Sequence, residues 1–437
     1  MQAARETADL VIIGAGAAGL ASAIFAKRQA PALRVICLDG ATRIGAKILV
    51  SGGSRCNVTN TEVTERDFWG GPTRIVRSVL RAFPPSKAVA FFAELGVRLC
   101  EEEDGKLFPE SNAARDVLNA LVGALRDAGA ELHVGQRVTA AARVAEGFEV
   151  IATGKRYRTN RLILATGGRS LPKTGSDGAG YGLARALGHG YVETTPALVP
   201  LILEGAHHAA LAGVSHRVRL TVRRGDGRAT ELEGALLWTH FGASGPVVLN
   251  ASRHWHRARL EGAPVEVLLN LFPQDRFETL EAWILQQAVE RPRAQLATVL
   301  AARLPAAVAT AWMSGVGLEN VTVAHLGRAS RRRLLHALLA TPLAVRDSRG
   351  YSFAEVTAGG IPLEEIDPGS LESRCCPGLF LVGEILDVDG RLGGFNFQWA
   401  WSSAWVAARA IASAAPHRPL PRSPENATHS TRRGGRE

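Results

Sequence analysis

The sequence predicts an α/β protein of more than one domain, and three observations carry that prediction. The chain has 437 residues, where a domain takes roughly 150. Residues 9–39 read as strand, helix, strand. Further along, β-type alternation and helical periodicity occupy separate stretches. Hydrophobic residues are 46% and charged residues 21% of the chain, a balance that excludes a disordered chain, a coiled coil and a collagen-like fibre.

Taken in order, Asp9-Leu10-Val11-Ile12-Ile13 is a short β-branched run, 14–28 a small-residue helix and 34–39 a second strand of the buried type. Such a βαβ unit implies parallel strands joined by a right-handed crossover. Residues 43–60 are rich in Gly, Ser and Asn and predict a long ordered loop. Helical periodicity follows at 73–96 and 113–129, then strands near 131–134, 136–144, 147–153 and 162–165. Residues 196–245 are β-type, with alternation at 218–222 closed by a Gly225-Asp226-Gly227 turn. Residues 274–340 read as mainly helical. Gly-rich turns return from 350, with a strand at 379–382 and a last helix from about Gln398. Beyond 414 Pro, Arg and Ser dominate without periodicity, which predicts a disordered basic tail. The uncharged run 10–26 is long enough for a short membrane span, but Gly14, Gly16 and Gly19 interrupt it. Neither a signal peptide nor a transmembrane helix is expected.

Those three glycines belong to Gly14-Ala15-Gly16-Ala17-Ala18-Gly19, which follows a strand and opens a helix. In that setting the spacing is a dinucleotide fingerprint. Gly14 permits the tight turn, Gly16 lets the backbone approach a pyrophosphate, and Gly19 lets the helix pack close to the sheet. The helix N-terminus offers free N–H groups to the phosphates. Asp39 ends the next strand, where an acid accepts hydrogen bonds from ribose hydroxyls and disfavours a 2′-phosphate. FAD or NAD therefore suits the site better than NADP.

Residues 162–168, Leu-Ile-Leu-Ala-Thr-Gly-Gly, and 381–384, Leu-Val-Gly-Glu, resemble the two further signatures of flavoproteins with the glutathione-reductase type of FAD domain. Four more stretches sharpen the likeness: Ser51-Gly52-Gly53-Ser54-Arg55-Cys56-Asn57-Val58-Thr59-Asn60, Thr239-His240-Phe241-Gly242-Ala243-Ser244-Gly245-Pro246, Val356-Thr357-Ala358-Gly359-Gly360, and residues 383–403 with Gly393-Gly394-Phe395-Asn396-Phe397-Gln398 at their centre. From about 8 to 412 the chain resembles the bacterial family described as aminoacetone oxidase family FAD-binding proteins or BaiN-like NAD(P)/FAD-dependent oxidoreductases. Two positions depart from the pattern: Ser54 stands where that family commonly has Gly, and Glu384 where the wider superfamily usually has Asp.

The resemblance implies a discontinuous FAD-binding Rossmann domain over 1–192 and 349–413. It also implies a small β-barrel-like substrate domain over 193–273 and 320–348, a helical insertion over 274–319 and a tail over 414–437. Cofactor contacts are implied for Gly14, Gly16, Ala17, Ala18 and Gly19, for Asp39, Gly40 and Lys47, and for Gly52, Gly53, Ser54, Arg55 and Asn57. They are implied too for Val138, Ala165, Thr166 and Gly167, and for Gly383, Glu384, Gly394, Phe395, Asn396, Phe397 and Gln398. Glu384 would reach the ribityl chain, and the last helix would aim its N-terminus at the flavin N1/O2 edge. Trp399, Trp401 and Trp405 do not share one face and read as packing residues.

Three residues are candidates for catalysis, each with a plainer alternative. Cys56 could protonate a substrate carbon after hydride transfer, or be a buried inert thiol. Arg55 could hold substrate or flavin charge, or form an ion pair. His240 could be an acid/base, or a structural histidine. Lys47 could meet the adenosine side or a phosphate, or be solvated. The five cysteines, at 37, 56, 100, 375 and 376, lack framework spacing and read as reduced thiols in a cytoplasmic protein. No His/Cys/Asp spacing suggests a metal.

Lys and Arg number 51 against 41 Asp and Glu, a net charge of +10. Only six are Lys, and an Arg- and Ala-rich chain is also what codon drift produces. Read as function, the charge favours a polyanionic partner, with Arg328, Arg331, Arg332 and Arg333 and Arg217, Arg219, Arg223 and Arg224 as phosphate-contacting clusters. The expected activity is hydride transfer through flavin N5. Of the substrates the family resemblance implies, the one the charge favours is a uridine of large-subunit ribosomal RNA, reduced to dihydrouridine with NAD(P)H as a transiently bound reductant. The alternatives are a small-molecule amine oxidase or enone reductase, and an FAD-containing RNA-binding factor without turnover.

Overall fold

The computed structural model describes residues 5–205 and 207–414. The expected basic tail lies, but for Ala414, outside the described residues. Strand β1 (Arg5–Ile13) turns at Gly14 into helix α1 (Ala17–Gln29), which returns through β2 (Val35–Leu38). There follow α2 (Ala46–Ser54), β3 (Thr59–Asn60), β4 (Phe68–Gly70), α3 (Thr73–Ala82) and α4 (Pro85–Glu94). The periodicity over 73–96 splits into two helices at Pro84-Pro85, because Pro lacks the N–H a helix interior needs and suits a first turn. Strands β5 (Leu99–Glu101) and β6 (Lys106–Pro109), helix α5 (Ala114–Asp127), strands β7 (Glu131–His133), β8 (Val138–Val144), β9 (Gly147–Ala152) and β10 (Lys155–Leu164), and helix α6 (Ala179–Ala186) complete this half.

A second stretch holds β11 (Val192–Ala197), β12 (Leu201–Leu203), β13 (Ser215–Arg224), β14 (Ala229–Thr239), β15 (Gly242–Ser244), α7 (Pro246–Leu260) and β16 (Val265–Asn270). Helices α8 (Phe277–Glu290), α9 (Leu296–Leu300), α10 (Ala306–Gly315) and α11 (Arg328–Leu339) lead to β17 (Thr341–Leu343) and β18 (Val345–Ser348). The chain then returns through β19 (Val356–Gly360), β20 (Leu379–Leu381), β21 (Val388–Gly390) and α12 (Phe395–Ser413).

The first sheet runs β7-β2-β1-β10-β9-β8, with β20 beside β10. Long strand β10 pairs along one edge with β1 in parallel; along the other it meets antiparallel β9 and then, at Leu162–Leu164, parallel β20. The central strands are buried on both faces, which is why they read as continuous apolar runs. Helix α1 is wedged between this sheet and α12, and every residue from Ala18 to Ala26 is buried.

The second sheet is antiparallel, in the order β17-β16-β13-β14-β15-β12-β18. Val218, Leu220 and Val222 face its core, as the alternation predicts. The helical run does not stop at 319: α11 carries it to Leu339, within the 274–340 stretch that reads as helical. Nor does it have a core of its own, for Leu280, Ile284, Val308 and Leu334 share one with Val218, Leu220 and Trp238. A small third core of Ala197, Leu198, Val356 and Ala358 lies where β11 pairs with β19, with Leu249 and Leu392 packed against it. A buried, two-pronged ion pair, Arg253 to Asp389 at 2.6 and 3.0 Å, ties α7 to β21.

Candidate active site

The carboxyl ends of β1, β2, β10 and β20 open into one cleft of about 500 Å³, within the roughly 300–1,000 Å³ of small-molecule sites. This is the edge of a parallel sheet where dinucleotides bind. Gly14, Gly16, Ala17 and Ala18, Asp39 and Gly40, Lys47, Gly52, Gly53, Arg55 and Asn57 line it. So do Val138, Ala165, Thr166 and Gly167, and Gly383, Glu384, Gly394, Asn396 and Phe397. Two distant stretches of chain thus share one wall.

The residues present fit FAD. Gly14 holds φ +104°, and a Cβ there would stand 2.4 Å from the Ala165 carbonyl oxygen. At Gly16 nothing among the described residues lies within 4 Å of a Cβ position, so its bare backbone fronts open cleft. Helix α1 has no side-chain cap and no acid in its first turn; its free N–H groups are available to a pyrophosphate. The Asp39 carboxylate accepts from the Ala15 N–H at 2.7 Å and the Ala41 N–H at 2.8 Å, and each oxygen keeps a lone pair for a ribose hydroxyl. Thr166 Oγ1 and Ser176 Oγ, on the same wall, are buried without a hydrogen-bond partner among the described residues.

Lys47 and Glu384 belong to a network of their own. Lys47 Nζ lies 2.5 Å from Glu384 Oε2 and 2.5 Å from Ser170 Oγ. Glu384 Oε1 accepts from Ser170 Oγ at 2.7 Å and from the Thr357 N–H at 2.9 Å. Glu384 fronts the cleft with its carboxylate held by these three partners. Lys47, on the same lining, is its ion partner. Nothing in the sequence around Ser170 signals this role; Thr357 lies in the 356–360 motif.

The expected loop at 43–60 is a helix and a kink. Residues 46–50 are helical, and Gly52, Gly53 and Ser54 then hold φ of 54°, 68° and 69° in succession. The stretch that follows is sewn to the start of α12. Thr59 Oγ1 donates to Gln398 Oε1 at 2.6 Å, Asn60 Nδ2 to the Gly393 carbonyl at 3.1 Å, and Trp401 Nε1 to the Val58 carbonyl at 2.9 Å. Asn57, oriented to satisfy both ends of its amide, donates to the Thr59 carbonyl at 2.8 Å and accepts from the Gly394 N–H at 3.1 Å.

Several expected cofactor contacts lie behind the wall. Gln398 is buried, and donates to the Phe83 carbonyl at 2.8 Å and Ser402 at 3.0 Å. Phe395 is buried against Phe68. Gly19 supports the turn, its Cβ position 1.8 Å from the Gly14 carbonyl oxygen. Ser54 is exposed and off the cleft lining. Trp399 and Trp405 serve packing: Trp399 donates to the Gly383 carbonyl at 3.1 Å, and Trp405 meets Phe25 edge-on.

The three catalytic candidates fare differently. Cys56 is fully buried, off the cleft lining, and burial pushes its thiol up to about 12. An acid so weak and so far from solvent does not fit a proton donor. His240 is exposed on the β14–β15 turn, its ring edge-on to Phe241 and away from the cleft lining. Arg55 does line the cleft, but its guanidinium pairs with Glu102 at 2.6 Å and covers the Phe108 ring at 4.0 Å.

The basic clusters are partly neutralised. Arg217 and Arg219 pair with Glu233, Arg223 with Glu266, Arg224 with Glu261, and Arg331 with Glu281. Among the described residues no helix is long and apolar enough to cross a membrane.

A family model described as the HI0933-like protein Rossmann domain matches residues 8–410. A 3-dehydro-bile acid delta(4,6)-reductase of Clostridium scindens is 34% identical over 402 residues, covering 92% of this chain and 98% of its own. A ribosomal RNA dihydrouridine synthase of Escherichia coli is 32% identical over 412 residues, covering 94% and 99%. That of Haemophilus influenzae is 31% identical over 412 residues, covering 93% and 99%.

Proposed function

Because the chain belongs to the HI0933-like Rossmann family of FAD-dependent oxidoreductases, we propose that it reduces a carbon–carbon double bond conjugated to a carbonyl. Its substrate on this reading is a uridine of large-subunit ribosomal RNA, its reductant NAD(P)H and its compartment the cytoplasm. Bound FAD supplies hydride transfer through N5. The chain's part is to hold the dinucleotide on the α1 turn and at Asp39, to present the acceptor beside Gly393–Asn396, and to provide a proton. The reductase named for Clostridium and the synthases named for Escherichia and Haemophilus share this chemistry in outline. In an enone, and in uracil at C5=C6 beside the C4 carbonyl, hydride goes to the β-carbon and a proton to the α-carbon.

The near-full-length likeness to two ribosomal RNA dihydrouridine synthases carries the RNA reading, and the net charge of +10 agrees with it. Deleting the gene and mapping dihydrouridine in large-subunit ribosomal RNA by mass spectrometry tests it. Loss of one dihydrouridine supports the reading, and an unchanged map removes it. The second reading, a small-molecule enone reductase, draws on the pairing of five clustered arginines with acids, which leaves less free charge for a phosphate backbone.

A further inference from the structure

Saturating an enone or a uracil needs a proton beside the hydride, and most titratable side chains on the cleft wall are committed elsewhere. Asp39 binds two backbone N–H groups, Glu384 holds Lys47, and Asp177 holds Arg137. Arg55 and Lys106 have their own acids. No His, Cys or Tyr lines the cleft among the described residues. Arg43 lines it too, but a guanidinium does not give up a proton.

Glu355 is what remains. It lines the cleft and is open to it, and its carboxyl has no hydrogen-bond or ion partner among the described residues. Its backbone N–H is fixed on the Leu198 carbonyl at 3.2 Å. Its neighbours Leu198 and Val356 pack with Leu392, which leads into Gly393 and Gly394 and the N-terminus of α12. Glu355 thus stands at the end of the cleft where the α12 motif closes it. The surrounding protein dehydrates the carboxyl and pushes it above its usual range, and the charge of Lys47, itself paired with Glu384, opposes that in part.

We propose that Glu355 is the catalytic acid of this cleft. Its neutral carboxyl gives a proton to the α-carbon as hydride from reduced FAD reaches the β-carbon; the double bond is saturated, FAD is left oxidised, and the carboxylate regains its proton from water. The assignment rests on the reductase reading above. The decisive comparison is the FAD-loaded parent with Glu355→Gln and Glu355→Asp, each reduced anaerobically with dithionite and then mixed with 2-cyclohexenone or an unmodified large-subunit ribosomal RNA transcript. Glu355→Gln should bleach like the parent, yet be reoxidised at least about 100-fold more slowly. It should lose the parent's fall in rate with rising pH, and Glu355→Asp should recover part of the rate. Reoxidation of Glu355→Gln within about threefold of the parent overturns the assignment and leaves the reductase reading standing. A parent reoxidised by neither acceptor removes that reading, and the assignment with it.

A second readout needs no cofactor. A carboxyl held above 4.5 in the fold costs stability as it ionises. The melting temperature of the FAD-free Glu355→Gln protein should therefore gain on the parent's from about pH 4 to about pH 8. A flat difference also overturns the assignment.

Discussion

Lys47 and Glu384, 337 positions apart, meet at 2.5 Å on the cleft wall. Ser170 and the Thr357 N–H complete the glutamate's shell, so one acid fastens α2, the loop after β10 and the start of β19. Glu384→Gln or Lys47→Met should each cost about 1–3 kcal/mol in urea unfolding, below the 3–5 of a fully buried pair, because both side chains keep some exposure. The double variant should cost clearly less than the sum, and strict additivity in that cycle would show the pair to be energetically idle.

Two glycines three positions apart should fail in different ways. Gly19→Ala drives a Cβ into the Gly14 carbonyl and should lower the stability of the cofactor-free protein by at least about 2 kcal/mol. Gly16→Ala meets nothing but cleft. It should melt like the parent while weakening FAD binding about tenfold or more, read from the flavin absorbance at about 450 nm.

Ser54 holds φ +69° and is exposed. A Cβ in the left-handed region costs about 1 kcal/mol or more, and no packing is lost by removing it. Ser54→Gly should therefore raise unfolding free energy by about 0.5–1 kcal/mol, even after the greater freedom glycine gives the unfolded chain. A drop in the denaturation midpoint would contradict this.

Asp387 makes no side-chain hydrogen bond among the described residues. Burial first, and the charge of Asp389 second, lift its carboxyl from 3.8 to about 6, while Arg257 and Arg253 pull the other way and Glu364 adds to the rise. Its folded form therefore prefers the proton. The fold bears no cost below about pH 4 and loses up to about 3 kcal/mol as pH rises through 6. Asp387→Asn should match the parent near pH 4 and exceed it at pH 8, and thermal melts across that range will show whether the curves diverge.

Cys56, with its thiol lifted to about 12 and no exposure, should resist iodoacetamide in the native protein while exposed Cys375 labels readily. Cys56→Ala should keep turnover within about threefold of the parent; a loss of 100-fold or more would restore the thiol to the chemistry.

The nucleotide end of the site was legible in the sequence because its geometry is local. A strand, three glycines and an acid closing the next strand specify the turn, the helix start and Asp39 by spacing alone. The far end was not. Gly52-Gly53 signals a break, and that break hid the helical turn at 46–50 just before it. Gln398, Asn57 and Thr59 are polar residues in a glycine-rich setting, and sequence does not reveal that they bond to one another or to buried carbonyls. Glu384 reads as a ligand because its strand ends at the cleft, and only the fold shows that Lys47 and Ser170 also meet it. Glu355 carries no signal for the opposite reason: it is a lone acid before an apolar strand, and the cleft wall around it is built from distant parts of the chain.

The pairing of β20 with β10, and of α12 with α1, sets a schedule for biosynthesis. A translating ribosome that releases roughly 5–20 residues per second presents the Gly14 turn tens of seconds before Leu379–Leu381 emerges to complete the sheet. Through that interval the face of α1 that α12 will cover stands open to water. A messenger cut short ahead of β20 accordingly yields a nascent chain that carries the fingerprint and still has no closed pocket in which to use it.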